Sequence, residues 1–159
     1  MSRRHPYIVD AGFGVPTPTS PLRLEPHLEQ VTPHEPFRLL PVNDDYLVQA
    51  KIGDAWRTLY RFGLEEHFLP DYDVTNWYLS DNPALHFVTG LIAARPAAGR
   101  RYTLRNTDFA IHFLNGRTER QVLRTTTELR ETLEGPFGLT FPDTPELDAP
   151  LARLGAHRG

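Results

Sequence analysis

Apolar and polar positions alternate in short runs along most of the chain, and a turn signal closes each run. Tyr7-Ile8-Val9, preceded by Pro6, predicts a buried strand. It runs straight into Asp10-Ala11-Gly12-Phe13-Gly14, where two glycines around one aromatic predict a sharp turn with close backbone approach. Val15 to Pro21 is rich in Pro, Thr and Ser and predicts a loop. Phe37-Arg38-Leu39-Leu40 predicts a strand. Tyr46 to Ile52 predicts the next, after an Asn43-Asp44-Asp45 turn. Gly53-Asp54 then turns the chain into Trp56 to Phe62, where alternate positions are bulky and apolar. Leu22 to Phe62 therefore predicts an antiparallel sheet or a small open barrel.

The period changes at Asp71 to Ser80. Val74, Trp77 and Tyr78 fall at i, i+3 and i+4, one face of a helix that Asp71 or Asp73 can cap and Asn82-Pro83 ends. His86 to Ala93 is apolar enough to predict a buried strand. Tyr102 to Arg105 and Phe109 to Leu114 predict two strands joined by a tight turn. Asn115-Gly116 predicts a hairpin whose central residues both need positive φ, leading into Thr118 to Leu123. Thr125-x-x-Glu128 is a capping box, opening a helix with Leu129 and Leu133 on one face that ends at Gly135-Pro136. Beyond Leu139 the sequence is Pro-rich and weakly patterned, which predicts a surface-bound or frayed tail. The fold class predicted is α+β, mostly antiparallel β.

Composition narrows the possibilities. A chain of 159 residues is one domain, or two small ones sharing a core. Seventeen basic against 20 acidic residues give a charge of −3, which argues against a nucleic-acid backbone as partner. Fifteen prolines favour a turn-rich β protein. No apolar run approaches the roughly 18–20 residues of a membrane span. No apolar stretch follows the basic start at Met1–Arg4, so a cytoplasmic protein without a secretory signal is expected. Zero cysteine excludes from this chain disulfides, thiolate metal sites, iron–sulfur clusters and a cysteine nucleophile.

Candidate chemistry centres on Asp10. An Asp at the end of a buried strand can hold a histidine in one tautomer, or can simply cap a turn; short Gly-rich turns are common. The seven histidines (His5, His27, His34, His67, His86, His112 and His157) form no HxxxH or HExxH spacing, so no metal is expected. Trp77/Tyr78 and Phe109/Phe113 are read as core. Arg100-Arg101, Arg117 and Arg120 are read as solvated hairpin charges.

The run Tyr7 to Gly14, continuing through Thr17-Pro18-Thr19-Ser20-Pro21-Leu22-Arg23-Leu24, resembles the arylamine N-acetyltransferase family. So do Glu29-Gln30 with Thr32 to Leu39, and Asn76-Trp77-Tyr78-Leu79-Ser80 followed by His86 to Leu91. Tyr102-Thr103-Leu104, Thr118-Glu119-Arg120, and Glu128-Leu129 through Leu139 complete the likeness. It covers nearly the whole chain, in order.

The resemblance implies acetyl transfer from acetyl-coenzyme A to an arylamine or arylhydrazine, by a ping-pong reaction through a thioester on a cysteine. A histidine activates that cysteine, and an aspartate holds the histidine. It implies a partial β-barrel at 1–70, an interdomain helix and linker at 71–86, an α/β lid at 87–140 and a tail at 141–159. Asp10 matches the catalytic aspartate. Phe13 and Gly14 match the loop lining the acyl and coenzyme A site, and Phe87 matches a pocket aromatic. Near Ser80 and Asn82 a lid would approach the pantetheine arm. Ala11 and Val15 depart from the family's Val-Gly-Phe-Gly-Gly pattern.

The larger departure is the missing Arg-Gly-Gly-x-Cys segment and the missing catalytic histidine. The chain is expected to be the C-terminal portion of such an enzyme, inactive alone. A separate N-terminal half would carry the Cys and His. Two other readings are a non-catalytic remnant or binding module, and part of a related amide synthase closing macrolactam rings on polyketides. An uncovered apolar surface and self-association are also expected.

Overall fold

Short turns set the architecture, and their chemistry decides where each strand ends. The protein is represented by a computed structural model that describes residues 6–10, 16–142 and 145–156. Phe13 and Gly14 lie outside the described residues. The chain divides into two units. The first holds Met1–Glu66 with the turn segments Ala98–Arg100 and Phe113–Arg117. The second holds His67–Ala97, Arg101–His112 and Thr118–Gly159.

In the first unit, β1 (Tyr7–Ile8) pairs with β2 (Leu22–Arg23). β3 (Phe37–Val42), β4 (Asp45–Ile52) and β5 (Ala55–Phe62) form an open three-stranded antiparallel sheet. Asn43 adopts φ 55° and Gly53 φ 60°, the left-handed turn conformations that fold β3 onto β4 and β4 onto β5. The Gln30 side chain fixes the chain beside β2, accepting from Arg23 N at 2.6 Å and donating to Arg23 O at 2.9 Å. Period-two alternation puts Phe37 and Leu39 inside. They lie opposite Ala50 and Val48 on β4, and these four with Leu22 form a fully buried core. Tyr7 and Val9 are exposed, contrary to a buried first strand. β1 has a single partner strand and only Ile8 packs on the core.

In the second unit, β6 (Ile92–Ala97), β7 (Arg100–Arg105), β8 (Asp108–Phe113) and β9 (Thr118–Val122) form a sheet in sequence order. α3 (Thr126–Glu134) starts at the expected capping box. Thr125 Oγ1 accepts from Glu128 N at 3.1 Å, and Glu128 Oε2 accepts from Thr125 N at 3.2 Å. Leu129 and Leu133 pack into a core with Leu104, Phe109, Leu123 and Phe137. Phe109 stacks on Tyr102 at 6.1 Å and meets the Phe137 ring edge-on at 6.1 Å.

Several expectations change. His86 to Thr89 is not strand but a helical turn, α2 (His86–Thr89), preceded by the Asn82 Oδ1 bond from Ala84 N and closed by Gly90 N on His86 O. A short apolar run fits a strand and a helical turn equally, and here the backbone shows the turn: Thr89 N donates to Leu85 O and Gly90 N to His86 O. Residues 145–156 form a helix, α4 (Pro145–Ala156), where a frayed tail was expected; Leu151 is buried in the second core. Pro145 suits its first turn, while Pro150 lies inside the helix and reads in the sequence as a break. The hairpin at Asn115-Gly116 is not a two-residue type I′ turn. Only Gly116 has positive φ, and Asn115 Oδ1 accepts from Arg117 N at 3.0 Å, a longer Asx-stabilised loop. Phe113 is only half-buried, under the Arg117 guanidinium at 4.3 Å. Arg101 is buried, not solvated.

α1 (Leu69–Asp81) begins two residues earlier than expected. Phe68 occupies the cap position, and the Asp71 carboxylate reaches back to accept from Phe68 N at 3.0 Å. The helix buries no residue, so Trp77 and Tyr78 are exposed, not core. Periodicity located the helix, but nothing in the described structure covers it.

Candidate functional site

Asp10 follows β1 by two residues, and its carboxylate atom Oδ2 is buried. It is presented to Tyr60, whose hydroxyl is also buried. Tyr60 reaches this position through an irregularity in β5. Val48 pairs with Tyr60, but the next β4 residue, Gln49, pairs with Thr58. Leu59 is thus an extra residue in a β-bulge. Strict alternation from Trp56 would send Tyr60 to the outer face. The inserted residue instead turns both Tyr60 and Phe62 toward the core, a use of bulges seen beside functional sites. Tyr46 stacks on Phe62 at 5.5 Å, and Tyr60 lies 6.5 Å from Phe62, so aromatic rings flank the Asp10–Tyr60 pair.

Burial, hydrogen bonding to Asp10 and the Asp10 charge together hold the Tyr60 phenol in its neutral form, with its pKa well above the ordinary 10.0. The folded state therefore keeps this proton at pH values where the unfolded chain releases it. The contribution is complete below pH 10 and is lost as pH rises beyond the unfolded value. Tyr60→Phe is expected to flatten the decline of unfolding free energy between about pH 9.5 and 11.5. Urea titrations across that range measure it; parallel declines in both proteins would exclude the coupling.

Nothing in the sequence signalled Tyr60 as a site residue. It reads as one of several aromatics in an alternating strand, and the bulge that reorients it has no marker in β5. An Asp10 carboxylate fixed in this way can accept a hydrogen bond from a third group and hold that group's orientation.

The other expected residues are placed differently. Phe87 lies on α2 in the second unit, is 58% exposed, and its ring packs against His86 at 4.5 Å. An apolar cleft of about 670 Å³ begins one residue later, with Val88, Leu91, Ile92, Leu139 and Phe141 among its walls. Ser80 and Asn82 sit at the end of α1. Ser80 Oγ donates to Asn76 O at 2.7 Å, and Asn82 Oδ1 accepts from Ala84 N at 3.0 Å. His112 is held between Thr103 and Thr118 hydroxyls, each at 3.1 Å, a structural histidine. The His34 ring nitrogens are buried between Pro33 and Glu35 in a loop. No group of three or more His, Cys, Asp or Glu among the described residues is placed to hold a metal ion. No helix among them is long and apolar enough to cross a membrane.

Known proteins share this chain's sequence and fold. A family model described as N-acetyltransferase matches residues 3–145. The arylamine N-acetyltransferase of Mycobacterium tuberculosis strain H37Rv is 42% identical over 148 residues, which are 93% of this chain and 52% of that protein. The solved structure of arylamine N-acetyltransferase from M. tuberculosis superposes with a TM-score of 0.83 at 42% identity, over 94% of this chain and 55% of that one. The structure of the Mycobacterium marinum arylamine N-acetyltransferase in complex with CoA gives 0.80 at 38% identity, over 96% and 55%. The chain spans about half the length of the relatives it matches.

Proposed function

The chain belongs to the arylamine N-acetyltransferase family, and we propose that it supplies the aspartate and part of the pocket of an acetyltransferase whose cysteine and histidine lie on a segment outside this sequence. The observation that carries this reading is the Asp10 carboxylate, buried at one oxygen and set against the buried Tyr60 hydroxyl by a β-bulge. Asp10 orients the imidazole and stabilises the imidazolium that forms when the cysteine proton is taken. Tyr60 is a positioning residue that keeps the Asp10 carboxylate aimed.

Acetyl-coenzyme A is the proposed acyl donor, supported by the M. marinum structure in complex with CoA. An arylamine or arylhydrazine is the acceptor. The thiolate attacks the donor's thioester carbonyl and the bond to the coenzyme A sulfur breaks. The imidazolium proton passes to the leaving coenzyme A sulfur; the amine nitrogen then attacks the enzyme thioester, its proton goes to the imidazole, and the carbon–sulfur bond breaks to give the amide and the thiolate. Phe87, beside the apolar cleft of the second unit, offers an aromatic surface for the acceptor ring. Phe13 and Gly14 are the proposed donor-side residues. The first unit corresponds to part of a barrel and the second to a lid.

No residue of this chain replaces a cysteine nucleophile. The purified chain, given acetyl-coenzyme A and an arylamine, is therefore expected to release no coenzyme A above background. Mixing it with the portion of the M. tuberculosis relative that lies outside the aligned 148 residues is expected to start acetyl transfer. Turnover by the chain alone, or a stable complex without turnover, would overturn the reading.

A further inference from the structure

We infer that the apolar cleft of the second unit is a binding site for a straight-chain carboxylic acid, held by its alkyl chain in the cleft and by its carboxylate at Arg153. The inference stands apart from the acetyl-transfer reading.

The cleft encloses about 670 Å³ and is walled by residues of α2, β6, α3 and α4, all within the second unit. That is the size of a small-molecule site, far larger than the voids of a packed core. The buried core residues Leu133 and Leu151 line its depth. Val88, Ile92 and Leu139 also line it and are exposed. Large apolar side chains gathered in water around one cleft mark a ligand groove, where single scattered ones mark nothing.

The wall has spent its own polar groups. Leu91 N donates to Asn106 Oδ1 at 3.0 Å, and Leu91 O accepts from Asn106 N at 2.7 Å. Gly90 N donates to His86 O at 2.8 Å, and Thr89 Oγ1 donates to Leu85 O at 3.2 Å. The segment is closely packed on its outer side. A Cβ at Gly90 would stand 2.9 Å from Asn106 Oδ1 and 2.9 Å from His86 O, so only glycine fits. The wall is therefore preformed and presents hydrocarbon to the cleft.

What remains for a ligand is two hydrogen-bond donors. Asn106 keeps its amide NH₂ once Oδ1 is engaged. Arg153, in the last turn of α4, is the one charged side chain among the described residues of the lining. An apolar body with a single anionic head matches that set, and an amine does not. Phe141 is the one aromatic among the described lining residues, and Phe87 is not one of them. Aliphatic walls favour a flexible alkyl chain over a stacked ring.

Calorimetric titration of the 159-residue chain with octanoate, decanoate and dodecanoate, below micelle-forming concentrations, tests the inference. One-to-one binding is expected, tightening about 4-fold for each added methylene, the factor for burying one CH₂. Arg153→Gln is expected to weaken decanoate binding about 10-fold and to leave 1-decanol binding unchanged, a split that a packing defect would not produce. Ile92→Glu is expected to abolish decanoate binding while moving the melting temperature by no more than about 2 °C, since Ile92 is exposed. No saturable binding of any of the acids would overturn the inference. So would equal binding of decyltrimethylammonium, or decanoate binding that neither variant changes. Displacement of decanoate by aniline would assign the cleft to the arylamine acceptor and overturn it as well.

Discussion

Asp10→Asn is expected to lower kcat for acetyl transfer by about 10³–10⁴ in the complemented enzyme, with KM for the arylamine nearly unchanged. The figure is the order seen when a buried triad aspartate is replaced by its amide in serine proteases. The reason carries over. Asn keeps the shape but loses the charge that stabilises an imidazolium, and its NH₂ group can hold the ring in the wrong tautomer. Asp10 Oδ2 is buried and the Tyr60 proton is held toward the carboxylate, so little water is at hand to substitute. Tyr60→Phe removes aim but not charge and is expected to cost about 10-fold, on kcat. Steady-state coenzyme A release distinguishes the two. A loss under 10-fold for Asp10→Asn would mean that Asp10 caps a turn and nothing more.

Phe37→Ala is expected to destabilise the fold by about 3–5 kcal/mol. Phe37 is completely buried and its cross-strand neighbour is Ala50, already the smallest side chain that can pack there. The remaining neighbours, Leu22, Leu39 and Val48, sit on strands whose pairing holds them in place, so the cavity cannot collapse. Trp77→Ala, a larger deletion by volume, is expected to cost no more than about 0.5 kcal/mol in the isolated chain, because it lies on a helix that buries nothing. Urea midpoints of the two variants measure the contrast. Comparable losses would mean that α1 packs within the chain.

The contrast shows what hydrophobic patterning can say. Patterning located β3, β4, β5, β7, β8 and β9, because a strand with one buried face must repeat every two residues; β6 was missed, its strand being expected at His86 to Ala93. Thr125 and Glu128 announced α3, because a capping box is complete within four residues. The family was also legible, since several separated segments in fixed order are individually weak and jointly specific; the family match over residues 3–145 bears it out. Where pattern failed, a local choice was balanced. His86 to Thr89 fits strand or turn equally until its backbone bonds onto Leu85 and His86 are seen. α4 was hidden because Pro150 sits inside it and reads as a break, and its buried Leu151 finds partners far away in sequence.

The sequence by itself determined most of the strands, the α3 helix, the absence of a cysteine nucleophile and the candidacy of Asp10. These depend on residue type and spacing within a few positions. Tertiary structure alone decided which residue stands beside Asp10 and which apolar residues remain uncovered. The first turns on one unpaired residue, Leu59, that reverses the facing of every residue after it in β5. The second turns on what packs against α1, and a helix's own sequence cannot tell whether an apolar side chain meets its partner inside the same chain or outside it.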